Sequence, residues 1–593
     1  MLATMSRERS PRKARAAWSI AFGVFLCASA ARPVTAQDFV PITDEILNHP
    51  ADGDWPQYRR THDAWAHSPL TQIDEENVEF LQLAWSRAIG PGSMEMTPLV
   101  YRGVMYLVHP NDRIEAVDAT TGNLIWEYER TVAENAGRLG AVRNLALYDD
   151  KVYYASRDGY LVALRAATGD VVWETFMASA EFATNYTSGP IAANDVIVTG
   201  RSCGLWGGVE NTPGGCFILG HDARTGAQLW RVNTIARPGE PGGDTWGGLP
   251  LEQRYHVSPW GVSSFDPELN LIYMGTGVPG PYPSVVHGRE AGDALYSNST
   301  LAIDADTGRL VWYYQHLPGD DWDLDHIGER ILVDARVDPS DQVAWPNPSV
   351  DPSETRRVLW TAGKGGVQFV LDRVTGAFLW ASPILHQNAV TGVSPDGRVT
   401  ANAALRHREV GHTVIVGQRA AKGWWPGTYS PRTGAVYQPL HNSWTQQTAL
   451  AWDGLGLGAR RISIRAPEFP ESLGIVKGVS VSTGEVLWER RWPTLHSGGL
   501  VSTGGGLVFG GDWDRRFRAY DDATGEVLWE TILNSRISGG AISYAVDGVQ
   551  YVAVATGGGT IYDNVIDVSG LGYTSPIGSS TVFVFALPPS LRE

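Results

Sequence analysis

DATTGNLIW at 118–126 sets a pattern that returns as RAATGDVVW (165–173), DARTGAQLW (222–230), DADTGRLVW (304–312), DRVTGAFLW (372–380), SVSTGEVLW (480–488) and DDATGEVLW (521–529). In each copy an Asp or a substitute opens a turn and a Gly supplies the positive φ of a tight hairpin. The strand that follows turns its Trp to one face. One copy would be a hairpin and no more. Seven copies, tens of residues apart, mean a repeat architecture whose units bury their faces only by stacking on neighbours.

The step from Trp380 to Trp488 is about twice the others and contains SPRTGAVY (430–437), which reads as a degenerate eighth copy. Between the turns lie short alternating or β-branched runs such as GVMYLV, KVYYAS, DVIVTG and LIYMGTG, and no long stretch has helical period. The expectation is an all-β, eight-bladed β-propeller with Trp-docking repeats. Ring closure would pair a last strand in STVFVFAL (580–587) with an early one in FLQLAWSRAI (80–89), leaving no open edge.

The chain ends add a compartment. Five basic residues between Arg7 and Arg15 precede an apolar run over 16–31 and then Val34-Thr35-Ala36, the layout of a signal peptide over 1–36 cut before Gln37. The mature chain, 37–593, is then one exported, periplasmic propeller domain. The apolar run is too short to be a stable membrane span, so no membrane insertion is expected. Removal of six basic residues and one acidic residue takes the net charge from −17 to −22. Such acidity excludes nucleic acid and anionic membrane surfaces as partners. Cys203 and Cys216, thirteen apart and separated by Pro and Gly, read as a structural disulfide in an oxidising compartment. No CxxCH occurs, so electrons would leave through a separate carrier rather than an attached haem.

The turn repeat, the opening DWPQYRRTHDAWAHSPLTQIDEENVEFLQLAW, the element SFDPELNLIYMGTG and the segment LVWYYQHLPGDDWDLDH together resemble the pyrroloquinoline quinone (PQQ) dependent alcohol dehydrogenases over nearly the whole mature chain. The resemblance implies PQQ in the axial channel, a calcium or lanthanide ion beside it, a small-molecule alcohol as substrate and an external cytochrome c or similar acceptor. It places Trp260 in HVSPW as the flat floor under the quinone, Arg143 near the quinone oxygens, and Lys364 as the cation touching quinone and base. Asp323, in DDWDLD, matches the family's catalytic base, able to take a hydroxyl proton as hydride leaves the carbinol carbon. Glu95, Ser188, Ser202, Gly204, Ser258, Gly423 and Trp424 match positions that line the cofactor pocket.

Three departures accompany the likeness. The family's adjacent-cysteine disulfide is replaced by Ala136-Gly137-Arg138. Its metal-binding Glu is lost near Leu205, and its Asn reads Val278. Asp325, two residues after Asp323, resembles the extra carboxylate of lanthanide-using relatives, so Asp323, Asp325 and Glu210 are the expected metal ligands. GRSC and TIARPGEPG resemble the branch acting on bulky or secondary alcohols. Two other classes remain open to the residues alone: a cofactor-free propeller scaffold, and a hydrolase using Asp323 and Asp325.

Overall fold

The computed structural model describes residues 39–90, 92, 94–110, 112–132, 143–178, 186–203, 215–289, 292–417, 421–454, 456–558 and 578–592. The expected signal segment lies outside them. Nearly every long element is a strand, as the alternating runs require, and sequence-adjacent strands pair antiparallel. One sheet shows the plan: Leu99–Tyr101, Val104–His109, Arg113–Asp118 and Leu124–Glu129 follow one another in both chain and space. The first two are almost wholly buried, whereas the fourth is mostly exposed, with Trp126 its one buried residue. A register shift between the pairs Val117–Leu124 and Ala116–Trp126 breaks the simple pleat, and Trp126 is buried while Leu124, Ile125 and Glu127 are exposed.

Four-stranded sheets of this kind recur along the chain, and one carries a fifth strand, Trp345–Pro346, on its edge. A nine-stranded sheet joins two such four-stranded runs through a single parallel pair, Gly499 with Gly540. Its terminal run contains the closure expected from the chain ends: Gln82–Ala88 lies antiparallel to Thr581–Ala586, in register from Gln82 opposite Ala586 to Ala88 opposite Thr581. Both termini thus share one sheet, which removes a free edge.

The Trp and Gly of the repeat act across units. Trp126 donates from Nε1 to the carbonyl of Ala166 at 2.9 Å, in the turn of the next unit, and Trp230 reaches Ala305 in the same way at 2.8 Å. The glycines of those receiving turns, Gly169 (φ +78) and Gly308 (φ +70), lie under the indoles. A Cβ would come within 2.6 Å of Trp126 at the first and 2.8 Å of Trp230 at the second. Gly is therefore required twice over, for its left-handed φ and for the indole's close approach. Trp85, on the closing strand and outside the turn pattern, docks likewise: it donates to Ala119 at 3.1 Å above Gly122.

SPRTGAVY corrects the sequence reading. Its turn joins Thr428–Ser430 to Ala435–His441, the first and second strands of their sheet, whereas SVSTGEVLW supplies that sheet's third-to-fourth turn. The wide step between Trp380 and Trp488 is thus an insertion rather than an extra unit. It includes a separate three-stranded sheet of Thr413–Val416, Ser443–Ala449 and Ala459–Arg465. The four-stranded run that no turn repeat announces is built instead by the chain ends, from Ile537–Val546, Val549–Thr556, Thr581–Ala586 and Gln82–Ala88.

Cys203 and Cys216 are disulfide-bonded, with Cα atoms 5.0 Å apart, as expected. Among the described residues no helix is long and apolar enough to cross a membrane.

Candidate active site

The acidic loop that follows strand Leu310–Gln315 is held by its first carboxylate. Asp320, fully buried, accepts from the backbone N–H of Trp322 (2.7 Å) and Leu324 (2.7 Å) and from Asn298 Nδ2 (2.8 Å). Burial pushes its carboxyl up to about 6, against the pull of these three donors. Asp321 accepts from the N–H groups of Ser284 (2.7 Å) and His407 (3.0 Å). Burial works to raise its carboxyl, but His407, Ser284 and Arg289 outweigh it and hold it below the usual range. Trp322 donates to the carbonyl of Leu405 at 3.0 Å. With three neighbours anchored, Asp323 is held at φ +71, a left-handed conformation that Asp tolerates better than most residues.

From there the Asp323 carboxylate meets two cations. Lys364, in the hairpin between Thr355–Ala362 and Val367–Asp372, donates from Nζ to Asp323 Oδ1 at 3.0 Å and to Asp325 Oδ2 at 2.5 Å. Arg461 Nη1 donates to Asp323 Oδ2 at 2.5 Å. The remaining Asp325 oxygen, Oδ1, accepts from the backbone N–H of Val278 at 2.7 Å. Two buried carboxylates are thus matched by two buried or nearly buried cations, the arrangement that low-dielectric surroundings demand.

Trp260 links this cluster to a second one. Lys364 Nζ lies 5.3 Å from the centre of its ring and the Arg143 guanidinium 5.0 Å. Arg143 also lies 4.8 Å from the Trp424 ring, pairs with Glu95 at 2.7 Å, and donates to the carbonyls of Trp260 (2.8 Å) and Thr187 (3.1 Å). The structure therefore brings Asp323, Asp325, Lys364, Trp260, Arg143, Glu95 and Trp424 together from distant parts of the chain; Gly423 precedes Trp424 in the same loop. Ser188 and Ser258 have structural duties as well: the first exchanges hydrogen bonds with Gly200 and the second with the backbone of Cys203, each at 3.2 Å. Ser258 thereby ties the disulfide to the segment bearing Trp260. Ser202 is buried beside it, its hydroxyl without a hydrogen-bond partner among the described residues. Gly204, Glu210 and the Ala136-Gly137-Arg138 stretch lie outside the described residues.

Sequence reasoning missed Arg461, along with Tyr282, whose ring lies 5.4 Å from the Arg461 guanidinium, and Asn298. The doubled Trp spacing was the available signal for Arg461, since it marks the insertion that carries it.

The β-propeller domain of the PQQ-containing glucose/ethanol/alcohol dehydrogenases matches residues 55–398 and 465–552. The chain belongs to the PQQ-dependent alcohol dehydrogenase family. It is 32% identical to quinohemoprotein alcohol dehydrogenase ADH-IIG of Pseudomonas putida, over 91% of this chain and 78% of the relative. It is 30% identical to the quinohemoprotein alcohol dehydrogenase of Comamonas testosteroni, over 91% and 77% respectively. Among solved structures, a europium-containing methanol dehydrogenase superposes with a TM-score of 0.83 at 26% identity, covering 92% of this chain and 100% of that one. Like its family, the protein is an oxidoreductase acting on CH–OH groups.

Family membership implies PQQ and a metal ion, and the residues present fit the two unequally. For a flat tricarboxylate they fit well: a half-buried indole face flanked by Lys364 and Arg143, with Trp424 beside it, offers stacking area and positive charge together. For a hard cation they fit poorly. Among the described residues no three His, Cys, Asp or Glu side chains gather to hold one. The two carboxylates that do meet, Asp323 and Asp325, have all four oxygens engaged by N–H donors. The expected ligand set of Asp323, Asp325 and Glu210 is therefore not assembled within the described residues.

Proposed function

We propose that this chain is an exported, periplasmic, eight-bladed quinoprotein that oxidises a bulky secondary alcohol to its ketone and passes the electrons to an external cytochrome c. The observation that carries the reading is the Asp323 carboxylate held between Lys364 and Arg461, with Lys364 poised over the Trp260 ring. The four-stranded runs along the chain, closed by its two ends, support the blade count. The basic–apolar leader over 1–36 and the Cys203–Cys216 bond support export. The bulky-substrate reading rests on the same disulfide, which Ser258 ties to the segment bearing the floor residue Trp260.

PQQ, when bound, supplies an electrophilic ortho-quinone that takes hydride from the carbinol carbon. Trp260 would give its ring a flat rest, and Arg143 and Lys364 would compensate its carboxylates and quinone oxygens. Asp323 accepts the hydroxyl proton as the C–H bond is lost, so that a carbonyl product leaves. Asp320, through Trp322 and Leu324, keeps that base in place.

Apoprotein supplied with PQQ and a redox dye is expected to oxidise secondary alcohols, and Asp323→Ala is expected to abolish turnover while the far-UV circular dichroism stays unchanged. Wild-type kcat in that variant would refute the role given to Asp323.

A further inference from the structure

We infer that Arg461 supplies the fixed positive charge that a metal ion would otherwise supply beside the base, so that the quinone is bound and used without a metal. The inference rests on the quinone reading above and concerns the donor set of this chain alone.

Arg461 lies between the two stretches that the family domain matches. Its strand, Ala459–Arg465, falls almost wholly in the 399–464 gap between the two matched stretches. The segment is anchored where it needs to be. Tyr282 N–H donates to the Leu457 carbonyl at 3.1 Å, and Gly458 lies so close to Pro281 that a Cβ there would stand 3.0 Å from the proline ring. These contacts fix the start of the strand on the loop that follows Val278. Three residues beyond Gly458, Arg461 lies over the Tyr282 ring, and its Nη1 reaches Asp323 Oδ2 at 2.5 Å.

Among the described residues the charges that meet here are balanced. Asp323 and Asp325 contribute two negative charges; Lys364 and Arg461 contribute two positive ones. A divalent or trivalent ion entering among them would meet two buried cations and would have to break their hydrogen bonds to reach an oxygen. Calcium takes six to eight oxygen ligands. At Val278 the chain offers a hydrogen-bond donor instead, its N–H pointing at Asp325, and a side chain without a lone pair. An Arg in this place has the planar, permanently charged donor set suited to a carboxylate on one side and a quinone oxygen on the other.

The test uses the full mature chain, stripped with excess EDTA and titrated with PQQ while tryptophan fluorescence is followed, with metal content measured on the loaded, active protein. The expected result is saturable quenching in EDTA, a PQQ affinity changed by less than about tenfold on adding Ca2+ or La3+, and less than about a tenth of a metal equivalent per chain. Arg461→Ala is expected to lose at least about tenfold in PQQ affinity in EDTA, and Arg461→Lys to recover most of it. A wild type whose quenching requires Ca2+ or La3+, with close to one ion retained per chain, would overturn the inference, as would Arg461→Ala binding PQQ in EDTA as tightly as wild type. Should Arg461→Ala fail to fold, the lysine variant and the wild-type metal content decide. Binding and turnover only with metal would sink this inference and leave the quinone reading standing; no PQQ binding under any condition would sink both.

Discussion

Replacing Asp320 by Asn isolates the anchoring of the active-site loop from its chemistry, because the side chain keeps its size and lies behind the base rather than beside substrate. The carboxylate has both oxygens in use, accepting from Trp322 N–H and Leu324 N–H at 2.7 Å each and from Asn298 at 2.8 Å, in full burial. An amide offers one oxygen and one NH2 group, so whichever way it turns, at least one of the two backbone N–H groups faces another donor. A buried donor without an acceptor costs about 1–3 kcal/mol, and the surviving bonds lose their charge assistance. The expected destabilisation is about 2–4 kcal/mol. Asp323 holds its left-handed φ of +71 only while these anchors persist. Their loss lets the base relax, and displacement on the scale of 1 Å costs roughly a hundredfold in rate. Urea unfolding at pH 7.5 and dye-linked kcat at saturating PQQ, measured on the same preparation, report the two effects. A variant within about 0.5 kcal/mol of wild type and with unchanged kcat would refute the anchoring argument.

Acid should unfold the propeller through its buried histidines. Burial lowers His62 and His221 to about 4 and His441 to about 3, so the neutral form is the one the fold accepts. Because these folded values lie below the ordinary 6.5, the stability they contribute is present above pH 6.5 and is lost as pH falls toward 4. These three histidines alone give about 4 kcal/mol lost per pH unit in that window, and urea midpoints unchanged between pH 6 and 5 would contradict it. Gly525→Ala should cost about 3 kcal/mol, because φ is +71 and the new Cβ would stand 2.5 Å from the Trp488 ring; a thermal midpoint equal to wild type would count against Trp docking. Cys203→Ser with Cys216→Ser should lower stability by about 3 kcal/mol for the loop of thirteen residues. It should also weaken PQQ binding through the lost Ser258 tie, and an unaltered PQQ titration would remove that link.

The propeller was legible because its signal is local. Each turn carries its own Gly and its own Trp, and the demand for both arises within one hairpin and its neighbour, as Gly169 beneath Trp126 shows. The same locality misled at SPRTGAVY: a Thr-Gly turn looks alike between first and second strands and between third and fourth, and only strand pairing separates them. Of the side chains that cluster here, Asp323, Lys364, Arg143 and Trp260 were readable from motif likeness, since each sits in a stretch resembling the family. Arg461 was not. Its partner is 138 residues away, its strand follows no motif, and nothing in RRISIR distinguishes the Arg that reaches a carboxylate from those facing solvent. The serines carried little information because a hydroxyl can serve backbone as readily as ligand, which is what Ser188 and Ser258 do here.

A crystal structure of the chain loaded with PQQ would show whether a quinone rests on the Trp260 ring within reach of Asp323. One PQQ per chain is expected, with its ring plane against Trp260, its polar edge on Lys364 and Arg143, and the Asp323 carboxylate facing the quinone carbonyls. Density for PQQ elsewhere on the protein, or a Trp260 face closed off by protein side chains in crystals grown with excess PQQ, would contradict it.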